Sequence, residues 1–289
     1  MTTLPGATLL QIAEEVNPPD EDGSRTLRVH DQLLLGRRIL REKFGNSQRR
    51  LVKAGELLGS ANGASDGIYH LRSGWACQFR DWFDGRRVIV DVYLPGAVIG
   101  LGAGLRVRPM EEVLALNLVV VEEIPAEQAL TVMADPATTL YLAWLLSRQQ
   151  RRAERLLAAV SGIDARGRLA TMLLDFYTRL QRSRLIRSPT YNLPLTQIQI
   201  GQYLGLTVVH VNRVLRSLRA DRIVSLEKHW VTILDLERLT NLTHYGQKCD
   251  LVGKGRENPS DRSVKRPKSG DLIGRAHDRR ASIQAPHGG

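Results

Sequence analysis

The sequence predicts an α+β fold, with an N-terminal β-roll, a long helix and a C-terminal winged helix-turn-helix. Three observations support this prediction. Turn signals separate short strand-like segments between about residues 51 and 121. A long helical pattern starts at Asp135-Pro136, where a capping residue precedes a proline at the first helical position. Residues 196–219 have the pattern of two short helices joined by a tight turn.

The size and composition of the chain limit the possible functions. The 289 residues can hold two ordinary domains, and the net charge of +11 favours a polyanionic partner. The two cysteines, Cys77 and Cys249, form no CxxC pair, so neither a structural zinc nor a disulfide framework is expected. No segment approaches about 20 uninterrupted apolar residues, and the N-terminus lacks a signal-peptide pattern. We therefore expect a cytoplasmic protein without membrane contact.

Changes in composition divide the chain into five predicted parts. These are a flexible arm at 1–24, a sensor-like β-roll domain at 25–134, a dimerisation helix at 135–161, a winged helix-turn-helix domain at 162–245 and a disordered basic tail at 246–289. Within the second part, residues 27–44 have helical spacing with many basic side chains. The tail is predicted to be disordered because it loses all apolar periodicity.

The predicted roll contains one clear hairpin. Asp84-Gly85 joins WACQFRDWF to RRVIVDVYL and predicts a primed turn. Trp75, Cys77 and Phe79 alternate with smaller or polar residues, so the first strand of the hairpin is predicted to bury one face.

The long helix opens with the almost entirely apolar run TLYLAWLL. Such a band predicts pairing with the same helix of a second copy, and packing against the roll is the alternative. Asp164 is predicted to cap the next helix, and a loop containing Pro189 and Pro194 follows it. The predicted buried stripe of that helix consists of Leu169, Met172, Leu173, Phe176 and Leu180.

The strongest motif is the predicted helix-turn-helix. Thr196 caps its first helix, and Gln199 three residues later completes a capping box. Gly201 leaves room for a second helix to cross, and Gly205 can take the positive φ of a tight turn. Thr207 caps the second helix.

The second helix has an apolar inner face and a basic outer face. The inner face holds Val211, Val214, Leu215 and Leu218. The outer face holds Val208, Val209, His210, Asn212, Arg213 and Arg216, which is typical of a recognition helix presented to DNA. An ordinary helical hairpin has no need for these arginines, whereas DNA phosphates are neutralised by them.

Two strands at 223–226 and 230–234 flank Glu227-Lys228-His229 and predict a wing. The candidate DNA-contacting residues are Thr196, Gln197, Thr207, Val208, Val209, His210, Asn212, Arg213, Arg216 and Lys228.

In this order of parts, and in the strings LTQIQIGQYLGLTVVHVNRVLRSLRADRIVSL and HLRSGWACQFRDWFDGRRVIVDVYLPGAVIGL, the chain resembles the Crp–Fnr family of bacterial transcription regulators. The resemblance covers about residues 36–242. It implies a roll like the cyclic-nucleotide-binding jelly roll, and a homodimer that binds two half-sites in adjacent major grooves and contacts RNA polymerase.

The chain departs from the family pattern where effectors bind. Nucleotide-binding members carry a Gly-Glu pair after the Pro-Gly strand and then an Arg-Ser/Thr pair, whereas here Leu101 follows Gly100 and the later region reads RVRPMEEVLAL. We therefore expect no cyclic nucleotide. No cysteine precedes Cys77, which excludes the iron–sulfur cluster of the oxygen-sensing branch on ligand count. His30 and His70 leave haem ligation open, and no effector is assigned.

The recognition helix departs from the family as well. Many relatives carry Arg or Ser-Arg-Glu at its start, where Val208 and Val209 stand here. These valines can contact thymine methyl groups, whereas His210 and Arg213 are the candidates for base edges, with Arg213 suited to guanine. Asn212 is assigned to base or phosphate, and Arg216 to phosphate.

Two other functions remain as alternatives. One is an effector-binding or protein-interaction module whose helix-turn-helix no longer binds DNA, since the valine at position 209 replaces an acidic side chain. The other is a hydrolase centred on Ser65 in the string GASDG, although the strand before the serine and the helix after it are missing from the pattern. We expect a regulator without enzymatic activity.

Overall fold

The computed structural model of the chain describes residues 23–58, 67–104 and 112–243. Its helices are α1 (Gly23–Gly45), α2 (Leu101–Gly104), α3 (Ala126–Met133), α4 (Pro136–Gly162), α5 (Ala165–Arg182), α6 (Gln197–Leu204), α7 (Val208–Ala220) and α8 (Leu236–Leu242). Its strands are β1 (Gln48–Val52), β2 (Ile68–Ser73), β3 (Ala76–Asp81), β4 (Arg87–Tyr93), β5 (Val98–Ile99), β6 (Val113–Ala115), β7 (Val119–Ile124), β8 (Thr190–Asn192), β9 (Val224–Glu227) and β10 (Trp230–Ile233). The predicted tail, residues 1–22 of the predicted arm and most of the GASDG string lie outside the described residues.

Two antiparallel sheets enclose the core of the roll. One has the strand order β1-β7-β2-β5 and the other β4-β3-β6. Side chains from both sheets meet in one apolar cluster that includes Val52, Tyr69, Val113 and Val121. The predicted β-roll is confirmed, and the division into domains at the predicted residues stays a prediction.

The face of β3 that was predicted to be buried is buried, and the opposite face is buried as well at Ala76 and Gln78. Ala76 faces the core of the roll, and Gln78 is buried beside it. The amide oxygen of Gln78 accepts a hydrogen bond from the Tyr93 hydroxyl at 2.7 Å. Because this bond satisfies the amide oxygen, a polar side chain is tolerated on a covered face.

The opposite face of β3 packs against the C-terminal part of the chain. Trp75, Cys77 and Phe79 belong to the same apolar cluster as Leu173 and Phe176 of α5. The rings of Trp75 and Phe176 meet edge to face, with centroids 5.2 Å apart. One core therefore joins the roll to the helices that follow it.

The predicted β3–β4 hairpin is present, but its turn is not a primed one. The strand ladder ends at the pair Asp81 and Arg87. The Gly85 N–H bonds to the Trp82 carbonyl at 2.9 Å, and Gly85 has a φ of +80° whereas Asp84 does not take a positive φ. A primed turn requires a positive φ at its first central residue, so this loop is an ordinary turn followed by a left-handed glycine.

Helix α4 begins where the sequence predicts. Asp135 caps it by accepting a hydrogen bond from the Thr138 N–H at 2.7 Å, and Pro136 occupies the first helical position. The helix continues to Gly162, beyond the predicted end. Among the described residues no single helix is long and apolar enough to cross a membrane, and the pair α3 and α4, which passes such a test together, is bent by 107°.

Helix α1 covers part of the apolar band of α4. Leu40 and Phe44 pack in one cluster with Leu142. The two helices cross so closely at Gly36 that a Cβ atom there would lie 1.9 Å from the Ala137 carbonyl oxygen. The start of α4 is therefore partly buried within its own chain, which agrees with the alternative that its apolar band packs against the roll domain.

The C-terminal part is a winged helix-turn-helix with a three-stranded sheet of order β8-β10-β9. The short strand β8 lies where we predicted only a loop with two prolines. Lys228 and His229 have φ values of 45° and 71°, so the wing closes with a two-residue turn in which both residues are left-handed. Asp164 caps α5 through the Gly167 N–H at 2.8 Å, and the five residues of the predicted stripe are buried.

Candidate nucleic-acid interface

The predicted capping box is present at the start of α6, the first helix of the motif. The Thr196 hydroxyl accepts a hydrogen bond from the Gln199 N–H at 3.2 Å, and the Gln199 side chain accepts one from the Thr196 N–H at 2.8 Å. Gln197 is exposed in the first turn of α6. These bonds satisfy backbone donors that a helix start otherwise leaves unpaired.

Two glycines set the turn between α6 and α7. Gly205 takes a φ of +64°, which ends α6 in the left-handed conformation that favours glycine. The Leu206 N–H donates to the Gly201 carbonyl at 2.9 Å, and a Cβ atom on Gly201 would lie 2.5 Å from the Leu206 carbonyl oxygen. The backbone of the turn therefore occupies the space that any side chain at position 201 would need.

Helix α7 is held by its cap and its inner face. The Thr207 hydroxyl accepts a hydrogen bond from the His210 N–H at 3.2 Å. Val211, Val214 and Leu218 are buried in the core of the domain, while Leu215 is half-buried. Packing of these positions decides which side chains of α7 point away from the domain.

The outer face of α7 is exposed along its length. Val209, Arg213 and Arg216 follow one another at helical spacing, and Val209 is 76% exposed. Within the part of the chain that the structure describes, Arg213 and Arg216 make no ion pair or hydrogen bond. Both guanidinium groups are therefore available to an external anion or base edge.

Two side chains of α7 next to this exposed face, those of His210 and Asn212, form hydrogen bonds within the motif. The Nδ1 atom of His210 lies 3.1 Å from the Thr207 hydroxyl oxygen. The Asn212 amide donates to the Val208 carbonyl at 3.2 Å. Contact of His210 or Asn212 with a base would require these local bonds to be exchanged.

Two arginines that the sequence does not single out hold the wing and the end of α7. The guanidinium of Arg219 donates to the Leu226 carbonyl of β9, so this arginine fastens the wing to α7 rather than extending the free basic face. Arg166 of α5 donates to the Ser217 hydroxyl at 3.0 Å and pairs with Asp221. The Arg166 contacts have no local pattern because their partners are distant in sequence, and the Arg219 contact depends on the chain reversing into β9. Lys228 is exposed in the wing turn.

The structure allows a test of whether the roll fits a cyclic nucleotide. The family resemblance requires an acidic side chain directly after Gly100, where it would hold the ribose. Leu101 stands there, at the start of α2, and is buried in an apolar cluster with Leu40, Phe44 and Ile68. No carboxylate therefore stands directly after Gly100, where the family resemblance implies the contact to the ribose. Arg106 and Arg108 lie outside the described residues.

His70, one of the two histidines considered for haem, is part of an ion-pair cluster. Glu122 is buried. One of its carboxylate oxygens lies 3.0 Å from Nδ1 of His70, and the other lies 2.8 Å from the Arg72 guanidinium. Burial raises the pKa of the Glu122 carboxyl, but hydrogen bonds from His70, Arg72 and Arg49 outweigh burial and hold the net pKa below its ordinary value. Among the described residues no group of three or more His, Cys, Asp or Glu could hold a metal ion.

Family comparisons match both halves of the chain. Residues 167–242 match the Crp-like helix-turn-helix domain, and residues 49–135 match the cyclic nucleotide-binding domain. The transcriptional activator protein Anr of Pseudomonas protegens is 30% identical over 188 residues, which cover 64% of this chain and 76% of that protein. The anaerobic regulatory protein of Haemophilus influenzae is 28% identical over 207 residues, covering 71% of this chain and 77% of that protein.

Solved structures share the fold. FixK2 from Bradyrhizobium japonicum superposes with a TM-score of 0.59 at 24% identity, covering 68% of this chain and 96% of that chain. A transcriptional regulator of the CRP/FNR family from Thermus thermophilus superposes with a TM-score of 0.54 at 20% identity, covering 68% of this chain and 98% of that chain.

Proposed function

The chain belongs to the Crp/Fnr family of DNA-binding transcription regulators, and from this premise we propose that it binds a two-fold-related DNA site as a homodimer. The observation that carries the proposal is the outer face of α7, where Arg213 and Arg216 have no partner among the described residues. We assign Arg213 and His210 to base edges, Val208 and Val209 to thymine methyl groups, and Arg216 to phosphate.

The remaining assignments are supporting contacts. Asn212 takes base or phosphate, and Thr196, Gln197, Thr207 and Lys228 take phosphate, since exposed polar groups at helix starts and wings suit the DNA backbone. The protein is then a cytoplasmic regulator without enzymatic activity. It would contact RNA polymerase. It would act without a cyclic nucleotide, because Leu101 replaces the acidic side chain that would bind the ribose.

An exposed seam on α4 supports the homodimer. Ala143, Leu146, Gln150, Ala153 and Leu157 follow one another at alternating spacings of three and four residues. All five are exposed, with Leu146 at 44% and Leu157 at 67%. This spacing is that of a coiled-coil seam, which buries its apolar residues only against a second helix.

Placing charge on this seam is expected to separate the subunits. The double variant Leu146→Asp, Leu157→Asp should sediment as a monomer at concentrations where the wild type sediments as a dimer. Its affinity for the specific site should fall by about 100-fold, because two linked half-site contacts become independent.

The control is Leu185→Asp, which introduces one of the same substitutions at a residue that is 49% exposed and lies outside α4. Circular dichroism of all variants checks that the fold is retained. A double variant that stays dimeric and binds DNA like the control would refute dimerisation through α4.

A further inference from the structure

Two adjacent residues of strand β4 contact different parts of the chain. Asp91 contacts the long helix α4, and Val92 contacts α5 of the DNA-binding part. The Asp91 carboxylate accepts a hydrogen bond from Gln149 of α4 at 3.3 Å and lies 3.6 Å from the Arg152 guanidinium. The carbonyl of Val92 accepts a hydrogen bond from Arg179 of α5 at 2.9 Å. Strand β4 therefore contacts both α4, the proposed dimer helix, and α5, the helix that precedes the DNA-binding motif.

These contacts border a cavity of about 210 Å³ where three parts of the chain meet. Its wall includes Asp91 from the roll, Arg152 from α4 and Tyr203 from α6, the first helix of the DNA-binding motif. Tyr203 stacks on Phe176 with centroids 6.1 Å apart, and Phe176 in turn contacts Trp75 of the roll. Movement of α6 relative to the roll would have to break this aromatic series.

The polar groups on the roll side of the cavity are bonded to one another. Tyr93 donates to Gln78, and the Gln149 amide lies within 3.5 Å of the Tyr93 hydroxyl as well as bonding to Asp91. The side chain of Asp91 is 13% exposed, and that of Arg152 is 24% exposed. Removing Asp91 would leave a largely buried guanidinium without its counter-charge, which is costly.

We propose that Asp91, Arg152 and Gln149 form a built-in clamp that holds strand β4 against α4 and, through the bond between Val92 and Arg179, fixes the position of α5 and of the DNA-binding motif that follows it, without a bound small molecule. The inference rests on the proposed function, and it names these three side chains as positioning residues for DNA binding.

The test compares two arginines that are adjacent on α4. Arg152→Gln removes the clamp, whereas Arg151→Gln removes the same charge at an exposed residue that has no ion pair or hydrogen bond among the described residues. We expect Arg152→Gln to bind a selected DNA site about fivefold to tenfold more weakly than Arg151→Gln at the same salt concentration. Asp91→Asn, which keeps the shape and removes the charge, should show the same loss and should add little to Arg152→Gln in the double variant.

A second readout needs no DNA. Cys77 is buried in the core between β3 and α5, and burial raises the pKa of its thiol to about 11. We expect alkylation of Cys77 by N-ethylmaleimide, followed by peptide mass spectrometry to separate it from Cys249, to be about fivefold faster in Arg152→Gln than in the wild type or Arg151→Gln.

The outcomes separate the two proposals. Equal behaviour of Arg152→Gln and Arg151→Gln in both readouts would overturn the clamp. Tightening of wild-type DNA binding by more than about tenfold on addition of cyclic AMP would also overturn it, since the motif would then need a ligand. A wild type that binds no specific site contradicts the proposed function, and the alkylation rates still decide whether the clamp holds the domains together.

Discussion

Replacing Arg213 with alanine is expected to weaken binding to the selected DNA site by about 1–3 kcal/mol and to relax the preference at one base position in each half-site. Arg213 lies on the exposed face of α7, and within the described residues nothing else engages its guanidinium. A guanidinium can donate two hydrogen bonds to guanine, which no alanine can replace. Fluorescence anisotropy with a panel of duplexes, each changed at one base pair, measures both effects at one salt concentration.

Arg216→Ala is the matched comparison, because it removes the same group one helical turn away. We expect it to weaken binding to all duplexes about equally and to reduce the slope of log affinity against log salt by about one. If Arg213→Ala instead weakened every duplex equally, the assignment of Arg213 to a base edge would be wrong and it would be a second phosphate contact.

The second large effect is expected at Gly201. Changing it to alanine should lower the free energy of unfolding of the C-terminal domain by about 1–3 kcal/mol, because the new Cβ atom would meet the Leu206 carbonyl oxygen at 2.5 Å. The turn and α7 must move to relieve this contact, so specific DNA binding should weaken as well. Urea unfolding followed by circular dichroism measures the change in stability.

Gly162→Ala is the control for that experiment. Like Gly201, Gly162 lies in a helix, but a Cβ atom there would meet nothing within 4 Å. This variant should be neutral or slightly stabilising, since alanine favours helix. Equal stability of the Gly201 and Gly162 variants would mean that α6 and α7 do not cross as closely as described.

Features with a local cause could be predicted from the sequence. The capping box of Thr196 and Gln199, the left-handed turn at Gly205 and the cap at Asp135 each depend on residues within a few positions of one another. The spacing of buried residues on α5 likewise follows from helical geometry alone. The predictions for these elements are confirmed.

Features with a non-local cause could not be predicted in this way. Strand β8 is three residues long and forms only because β10 lies beside it. The double burial of β3 results from the roll core on one side and α5 on the other. Asp91 and Arg152 look like ordinary surface charges in the sequence, and only the fold brings them to 3.6 Å. The same holds for Arg219, whose role in fastening the wing depends on β9.

Selection from random duplex DNA can show whether the chain binds a specific DNA sequence as a dimer. The purified protein is used without added ligand at near-physiological salt. We expect enrichment of a two-fold-related sequence with half-sites about one helical turn apart, about 10 base pairs from centre to centre. Binding that enriches no sequence and only falls with rising salt would contradict it, and would favour a module whose helix-turn-helix no longer reads DNA.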